Sequence, residues 1–181
     1  MREAPTMKPT VPHAPRFSPS VTVAAVIERD GRYLLVEEHT SDGLRLNNPA
    51  GHLEQGESPE QGVVREAVEE TTCDFTPTAL VGMYLSRALR AGKGTDVTYL
   101  RLAYTGHAGE PQAQRQLDTG IVRTLWMTID EVRASVARHR SPLVLRCIED
   151  HAAGVRWPLA VVHSDPSLWN PPVVGMPPVR V

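Results

Sequence analysis

Residues 51–70, GHLEQGESPEQGVVREAVEE, constrain this chain more than any other stretch. The first seven are acidic and contain Gly51 and Gly56, so they read as a loop whose backbone turns sharply. Ser58 can cap a helix, Pro59 suits its first turn and Gln61 completes a capping box, which predicts a helix to about Thr71. Val63, Val64, Ala67, Val68 and Thr71 share one face of that helix and are expected to pack on a sheet. Glu66, Glu69 and Glu70 stand at i, i+3 and i+4, so their carboxylates share another face. Like charges so placed repel by roughly 0.2–0.5 kcal/mol per pair. They also crowd the last turns, where the helix dipole favours cations. Arg65 offsets part of this, and a bound divalent cation would remove the rest. Hard cations such as Mg²⁺ favour carboxylate oxygens and fill their remaining positions with water and substrate phosphates.

The rest of the 181 residues is consistent with one domain. Prolines cluster at the ends, with Pro5, Pro9, Pro12, Pro15 and Pro19 in the first segment and six of the sixteen in residues 158–181. Residues 1–19 therefore read as a flexible or polyproline-like tail, 20–156 as the domain, and 157–181 as a Pro-rich C-terminal segment. A net charge of −2 argues against a nucleic-acid-binding face. Cys73 and Cys147 lack metal-ligand spacing and read as buried free thiols of a reducing compartment. The apolar run Val23–Ile27 is too short for a membrane span or a signal-peptide core, so a cytoplasmic protein is expected.

Ser20–Glu28 and Tyr33–His39 read as strands around an Asp30-Gly31 hairpin turn. Leu46–Ala50 reads as a short strand confined to an edge by Pro49. Leu80–Leu89 and Val97–Gly106 read as longer strands around the turn Ala91–Gly94, and residues 110–120 as loop. Ile121–Met127 is a further strand, followed by a second capping box, Thr128 to Glu131, and a helix to about Ala137. Ser141-Pro142 opens a third helix, ended by Gly154. Strands and helices intermix, which predicts an α+β or α/β domain with a mixed sheet.

One Gly, four Glu and one Arg recur here at fixed spacings. With residue frequencies of about 6–7%, chance puts that pattern in a chain this long on the order of once in a hundred thousand. The pattern resembles the Nudix box, G-x5-E-x7-R-E-U-x-E-E-x-G-U, U being apolar: Gly51, Glu57, Arg65, Glu66, Ala67, Glu69, Glu70, Thr72, Cys73. Pro49–Glu54, Ser141–Val144 and Trp157–Leu159 further resemble the NudJ-type phosphatases, a bacterial subgroup, over roughly residues 20–165. The resemblance implies an α/β/α sandwich and Mg²⁺-dependent hydrolysis of phosphate anhydrides, with Mn²⁺ as an alternative metal. It implies small nucleoside di- and triphosphates or hydroxymethylpyrimidine pyrophosphate as substrates, no nucleic-acid or membrane partner, and a monomer or homodimer. A nucleotide-binding sensor of the same fold is the alternative; such proteins usually lose box carboxylates, all of which are present here.

Carried over residue by residue, Glu66 and Glu70 are the metal ligands, Glu69 is a third or acts through water, and a carbonyl of Ala50 or Gly51 completes the shell. Glu57 and Arg65 orient the loop. Glu66 is the first candidate for the base, with Asp118 and Glu110 as distant-loop candidates. Arg45, Arg87, Arg90, Lys93 and Arg101 are candidate phosphate contacts, each weighed against a solvated surface role. Tyr84, Tyr99 and Trp126 are candidates to stack on a base, each weighed against core packing. His39, His52 and His163 read as structural or surface residues, and Trp169 as an anchor for its tail. Two positions depart from the box. Thr72 replaces a Gly that permits a left-handed helix end, so the helix is expected to end differently. Cys73 replaces a larger apolar residue. Leu46 stands where the subgroup often has an aromatic ring.

Overall fold

The computed structural model describes residues 17–90 and 95–172, with the side chains of Arg90 and Thr95 excluded. The turn Ala91–Gly94, Lys93, the Arg90 side chain and residues 1–16 and 173–181 lie outside the described residues. Strands β1 (Ser20–Val26), β2 (Glu28–Arg29), β3 (Arg32–Thr40), β4 (Gly43–Asn47) and β5 (Ala50–His52) come first. Helix α1 (Pro59–Thr71) follows, then β6 (Cys73–Arg90), β7 (Thr95–Pro111) and β8 (Ile121–Thr128). Helices α2 (Ile129–Ala134) and α3 (Leu143–Ala152) come after these, with a 3₁₀ turn, Val136–Arg138, between them. One sheet has the order β5-β1-β7-β6, with β1 parallel to β7 and the other pairs antiparallel. The second is built on β3, which pairs with β2, β4 and β8. No helix among the described residues is long and apolar enough to cross a membrane.

The layers follow from the two-residue period of β1. Val23, Ala25 and Ile27 face a core completed by Val63 and Ala67 of α1. Ala24 and Val26 face the opposite core, completed by Leu143, Val144, Cys147 and Ile148 of α3. A strand buried on both faces must be apolar throughout, and this one nearly is. The result is the expected α/β/α sandwich. Each fully buried Val of α1 or β1 contributes about 1.5–3 kcal/mol.

Local signals place most elements. Asp30 and Gly31 take φ of +50° and +76°, the primed hairpin geometry the dipeptide favours. Ser58 accepts from the Gln61 amide at 3.2 Å while the Gln61 side chain accepts from the Ser58 amide at 2.8 Å. Thr128 and Glu131 repeat this box at α2. The predicted strand Leu46–Ala50 is instead two strands, β4 and β5, because Pro49 cannot donate to a ladder and falls between them. Gly51 and His52, read as the start of a loop, pair with β1 as part of β5. Strand β6 begins well before its predicted start, with Cys73 and Phe75 buried and Asp74 and Thr76 exposed, and β7 outruns its predicted end over largely exposed residues. Both cysteines are buried and free.

Thr72 corrects the expectation about the end of α1. It adopts the left-handed conformation, φ 61° and ψ 3°, that its Gly counterpart would take. The cost for a β-branched residue is about 1–2 kcal/mol. A cap bond and a tertiary bond hold it there: its amide donates to Val68 O of the same helix at 2.9 Å and its carbonyl accepts from the distant Gln112 amide at 3.2 Å. Thr71 Oγ1 accepts from the Cys73 amide at 3.2 Å, fixing the next residue.

Residues 157–172 run back along the domain. Trp157 and Leu80 exchange backbone bonds at 2.8 and 2.9 Å, and Trp169 Nε1 donates to Gln61 Oε1 at 3.3 Å. Tail and helix start are thereby joined.

Thr72→Gly is expected to raise stability by about 1 kcal/mol, less than the relieved strain because Gly also loosens the unfolded chain; urea denaturation measures it. A second expectation concerns His151, buried beside Tyr33 with its Nδ1 3.2 Å from the phenol oxygen. Burial, then Arg156, pull its pKa from 6.5 to about 4. The unfolded chain therefore takes a proton below pH 6.5 that the folded protein refuses until about pH 4, so stability from this group is lost as pH falls through that window. The loss, discounted for partial solvent screening, is about 2 kcal/mol, and His151→Gln should flatten it by that amount in denaturation curves across the same range.

Candidate active site

Arg65 is the centre around which the acidic residues are arranged. Its Nε donates to Glu57 Oε2 at 3.1 Å, and its Nη2 to Glu57 Oε1 at 2.8 Å and His52 O at 2.9 Å. Its Nη1 donates to Glu66 Oε1 at 2.7 Å and Glu69 Oε2 at 3.1 Å. A guanidinium has five N–H groups, and these five bonds use them all. Glu57 in turn accepts from the Glu54 amide at 2.7 Å, closing the loop against the helix. Paired with Arg65, the Glu57 carboxyl is held below its usual range. The same partners raise the Arg65 pKa, so it stays charged.

Glu66 and Glu70 lie deeper, each about 8% exposed. Glu66 packs directly on β5: a Cβ at Gly51 would stand 2.1 Å from its Oε1, so any side chain there would displace that carboxylate. Glu70 Oε2 accepts from the Ala50 amide at 2.8 Å. Burial pushes the Glu70 pKa up to about 8, and the nearby Glu66 and Glu38 add to the rise against the Ala50 bond and Arg140. Burial also raises Glu66, against the pull of Arg65. Glu38 of β3, about 7% exposed, has one carboxylate oxygen without a partner.

These acids converge on a cleft of about 390 Å³ lined by Glu38, Ala50, Gly51, Glu66, Glu69, Glu70, Asp118 and Arg140, among others. A divalent cation fits this donor set. The buried carboxylates are short of positive charge, and their oxygens are hard donors. Among the described residues no three His, Cys, Asp or Glu side chains already form a metal cage. Mg²⁺ does not ask for one, because it keeps several waters and takes one or two carboxylates plus substrate oxygens. Glu66 and Glu70 are the residues that could hold it.

The other sequence candidates separate by position. Asp118 lines the cleft, and its amide donates to Glu69 O at 2.8 Å, tying its loop to α1. Glu110 is paired with Arg29 on the surface. Arg87 lies on a different part of the surface, its Nε donating to Asp96 at 2.7 Å. Tyr84 faces α3, where its hydroxyl donates to Asp150 at 2.9 Å. Arg101 is buried. Trp126 packs in the α1-side core under Arg29. Tyr99 stands 6.4 Å from the ring of His52, which lines the cleft with His39. Leu46 is core rather than cleft. Glu38 and Arg140 were missed. Arg140 lies in a connector 102 residues from Glu38. The only hint was that Glu37-Glu38 breaks an apolar strand with two adjacent carboxylates.

Comparison with known proteins agrees with this geometry. The NUDIX domain family model matches residues 16–147. Phosphatase NudJ of Escherichia coli K12 is 31% identical over 147 residues, covering 81% of this chain and 92% of the relative. Among solved structures, a NUDIX hydrolase from Nitrosomonas europaea is 50% identical, covers 82% of this chain and 98% of its own, and has a TM-score of 0.74. A MutT NUDIX hydrolase from Burkholderia pseudomallei, 23% identical over 74% of this chain and 98% of its own, shares the fold at a TM-score of 0.58. Fold, carboxylate spacing and a family match over most of the chain all lead to one place: this protein belongs to the Nudix hydrolases.

Proposed function

We propose that this chain hydrolyses the phosphate anhydride bond of small nucleoside di- and triphosphates or of hydroxymethylpyrimidine pyrophosphate, with Mg²⁺, or Mn²⁺ in its place, held by Glu66 and Glu70. The observation that carries this reading is the pair of buried carboxylates on α1, fixed by Arg65, Gly51 and the Ala50 amide at the floor of an acid-lined cleft. Likeness to a NudJ phosphatase supports the substrate class. A bound divalent cation neutralises phosphate charge and lowers the pKa of a water.

The chain's own groups do the rest. Arg65 keeps Glu66 and Glu69 from splaying apart before substrate arrives. Glu57 fixes Arg65 and so orients the loop. Glu69, more exposed than its neighbours, assists directly or through water. Glu66, with its proton affinity raised by burial, is the first candidate to take a proton from the attacking water. Asp118 lines the same cleft and is the second candidate. The carbonyls of Ala50 and Gly51 belong to the strand on which Glu66 rests. Arg87 and Tyr84, paired with Asp96 and Asp150 outside the cleft, contact only parts of a substrate that extend beyond it.

Glu66→Gln and Glu70→Gln are each expected to cut turnover in Mg²⁺ by about a hundredfold or more. In Glu70→Gln the amide oxygen still accepts from Ala50, so folding persists. A ligand that binds only the native state raises its melting temperature. Mg²⁺ should therefore raise the Tm of the wild type and leave that of Glu70→Gln unmoved. Wild-type rates in both variants would remove the metal assignment. Binding of nucleotides without any phosphate release by the wild type would favour a sensor.

A further inference from the structure

The cleft must also hold the negatively charged phosphates of its substrate, and six acids line it. Among the described residues two arginines line it, Arg65 and Arg140. Arg65 has spent all five donors on Glu57, Glu66, Glu69 and His52 O. Arg140 has not. Among the described residues its guanidinium has a single acceptor, Glu38 Oε2, reached through Nη1. Its side chain is 42% exposed, whereas that of Glu38 is 10% exposed. The buried carboxylate thus anchors one edge of the fork, and among the described residues the other nitrogens of this cleft-lining side chain have no acceptor.

The backbone around Arg140 is fixed as well. Its amide donates to Leu46 O at 2.9 Å, and His139 bridges Leu46. Leu46 is itself fully buried. Both ends of the Glu38–Arg140 pair therefore rest on the β3–β4 hairpin, Glu38 directly and Arg140 through Leu46. A fixed guanidinium with several free N–H groups is the group best suited to bind phosphate oxygens in more than one bond. Of the other arginines near this wall, Arg123 and Arg138 both pair with Glu37, and Arg45, opposite Glu38 in the β3–β4 register, does not line the cleft.

We propose that Arg140 is a phosphate-binding residue of the cleft, holding a substrate phosphate oxygen through its free guanidinium edge, and that Glu38 is the positioning residue that aims it. The inference rests on the proposed hydrolysis of phosphate anhydrides for the identity of the substrate. The binding step stands apart from turnover and is tested apart from it.

The probe is methylenediphosphonate, a diphosphate that cannot be hydrolysed, titrated calorimetrically into the full-length protein in excess Mg²⁺. The wild type should bind it, and Arg140→Gln should bind roughly tenfold or more weakly. Arg140→Lys should recover part of the loss, because charge returns without the fork. With nucleoside triphosphate as substrate, KM should rise by a similar factor in Arg140→Gln, with a smaller change in kcat. Removing Arg140 alone leaves Glu38 buried and unpaired, so the double variant Glu38→Gln/Arg140→Gln separates contact from charge balance. It should bind as weakly as Arg140→Gln. Full recovery in the double variant would reduce Arg140 to a neutraliser of Glu38 and overturn the proposal. Wild-type affinity in Arg140→Gln would overturn it too, as would a wild type that does not bind the probe. A wild type that binds through Arg140 yet releases no phosphate from any substrate would sink the hydrolase reading and leave this one standing.

Discussion

Five hydrogen bonds from one guanidinium set the geometry of the site. Arg65 joins a loop residue, Glu57, a strand carbonyl, His52 O, and two helix residues, Glu66 and Glu69. Without it, Glu66 and Glu69 would repel each other on α1, and Glu57 would lose the partner that draws the loop between β5 and α1 onto the helix. Charge-assisted bonds of this kind are roughly twice as strong as neutral ones, and a planar fork fixes direction as well as distance. The arrangement orders the acids but does not neutralise them. Glu70, which Arg65 does not touch, has a pKa pushed up to about 8. Burial is the main cause of that rise, and the cation proposed for the cleft would offset it.

The sandwich makes this possible by burying both faces of β1. One face packs on α1 and the other on α3, so β5 at the sheet edge lies against the C-terminal half of α1. That contact brings Gly51 under Glu66 and the Ala50 amide to Glu70. The opposite wall comes from β3 and the connector before α3, which contribute Glu38 and Arg140. The loop ahead of β8 closes a third side, with His39 donating to Gly120 O at 2.8 Å and Asp118 to Glu69 O.

Features that depend on neighbours in sequence were legible from the residues alone. Both capping boxes, the Asp30-Gly31 turn and the Glu66–Glu69–Glu70 face involve residues no more than four apart, where local geometry leaves little choice. Thr72 was misread because its local preference opposed the left-handed conformation, and bonds from the distant Gln112 amide outweighed it. The alternation of β6 and β7 puts Tyr84 and Arg101 side by side, but no pattern in one strand says which sheet face carries the cleft. Glu38 and Arg140 were illegible for the plainest reason: an ion pair closed over 102 residues leaves no periodic trace. Chain topology alone brings them together.

In the proposed site Glu66 and Glu70 together hold a divalent cation. Anomalous diffraction from crystals soaked in Mn²⁺ tests it most directly. Bound Mn²⁺ should give one strong anomalous peak in the cleft, roughly 2 Å from a carboxylate oxygen of Glu66 and of Glu70, with Arg65 still bonded to Glu57. A peak that touches neither carboxylate, or no peak in the cleft at saturating Mn²⁺, would contradict it.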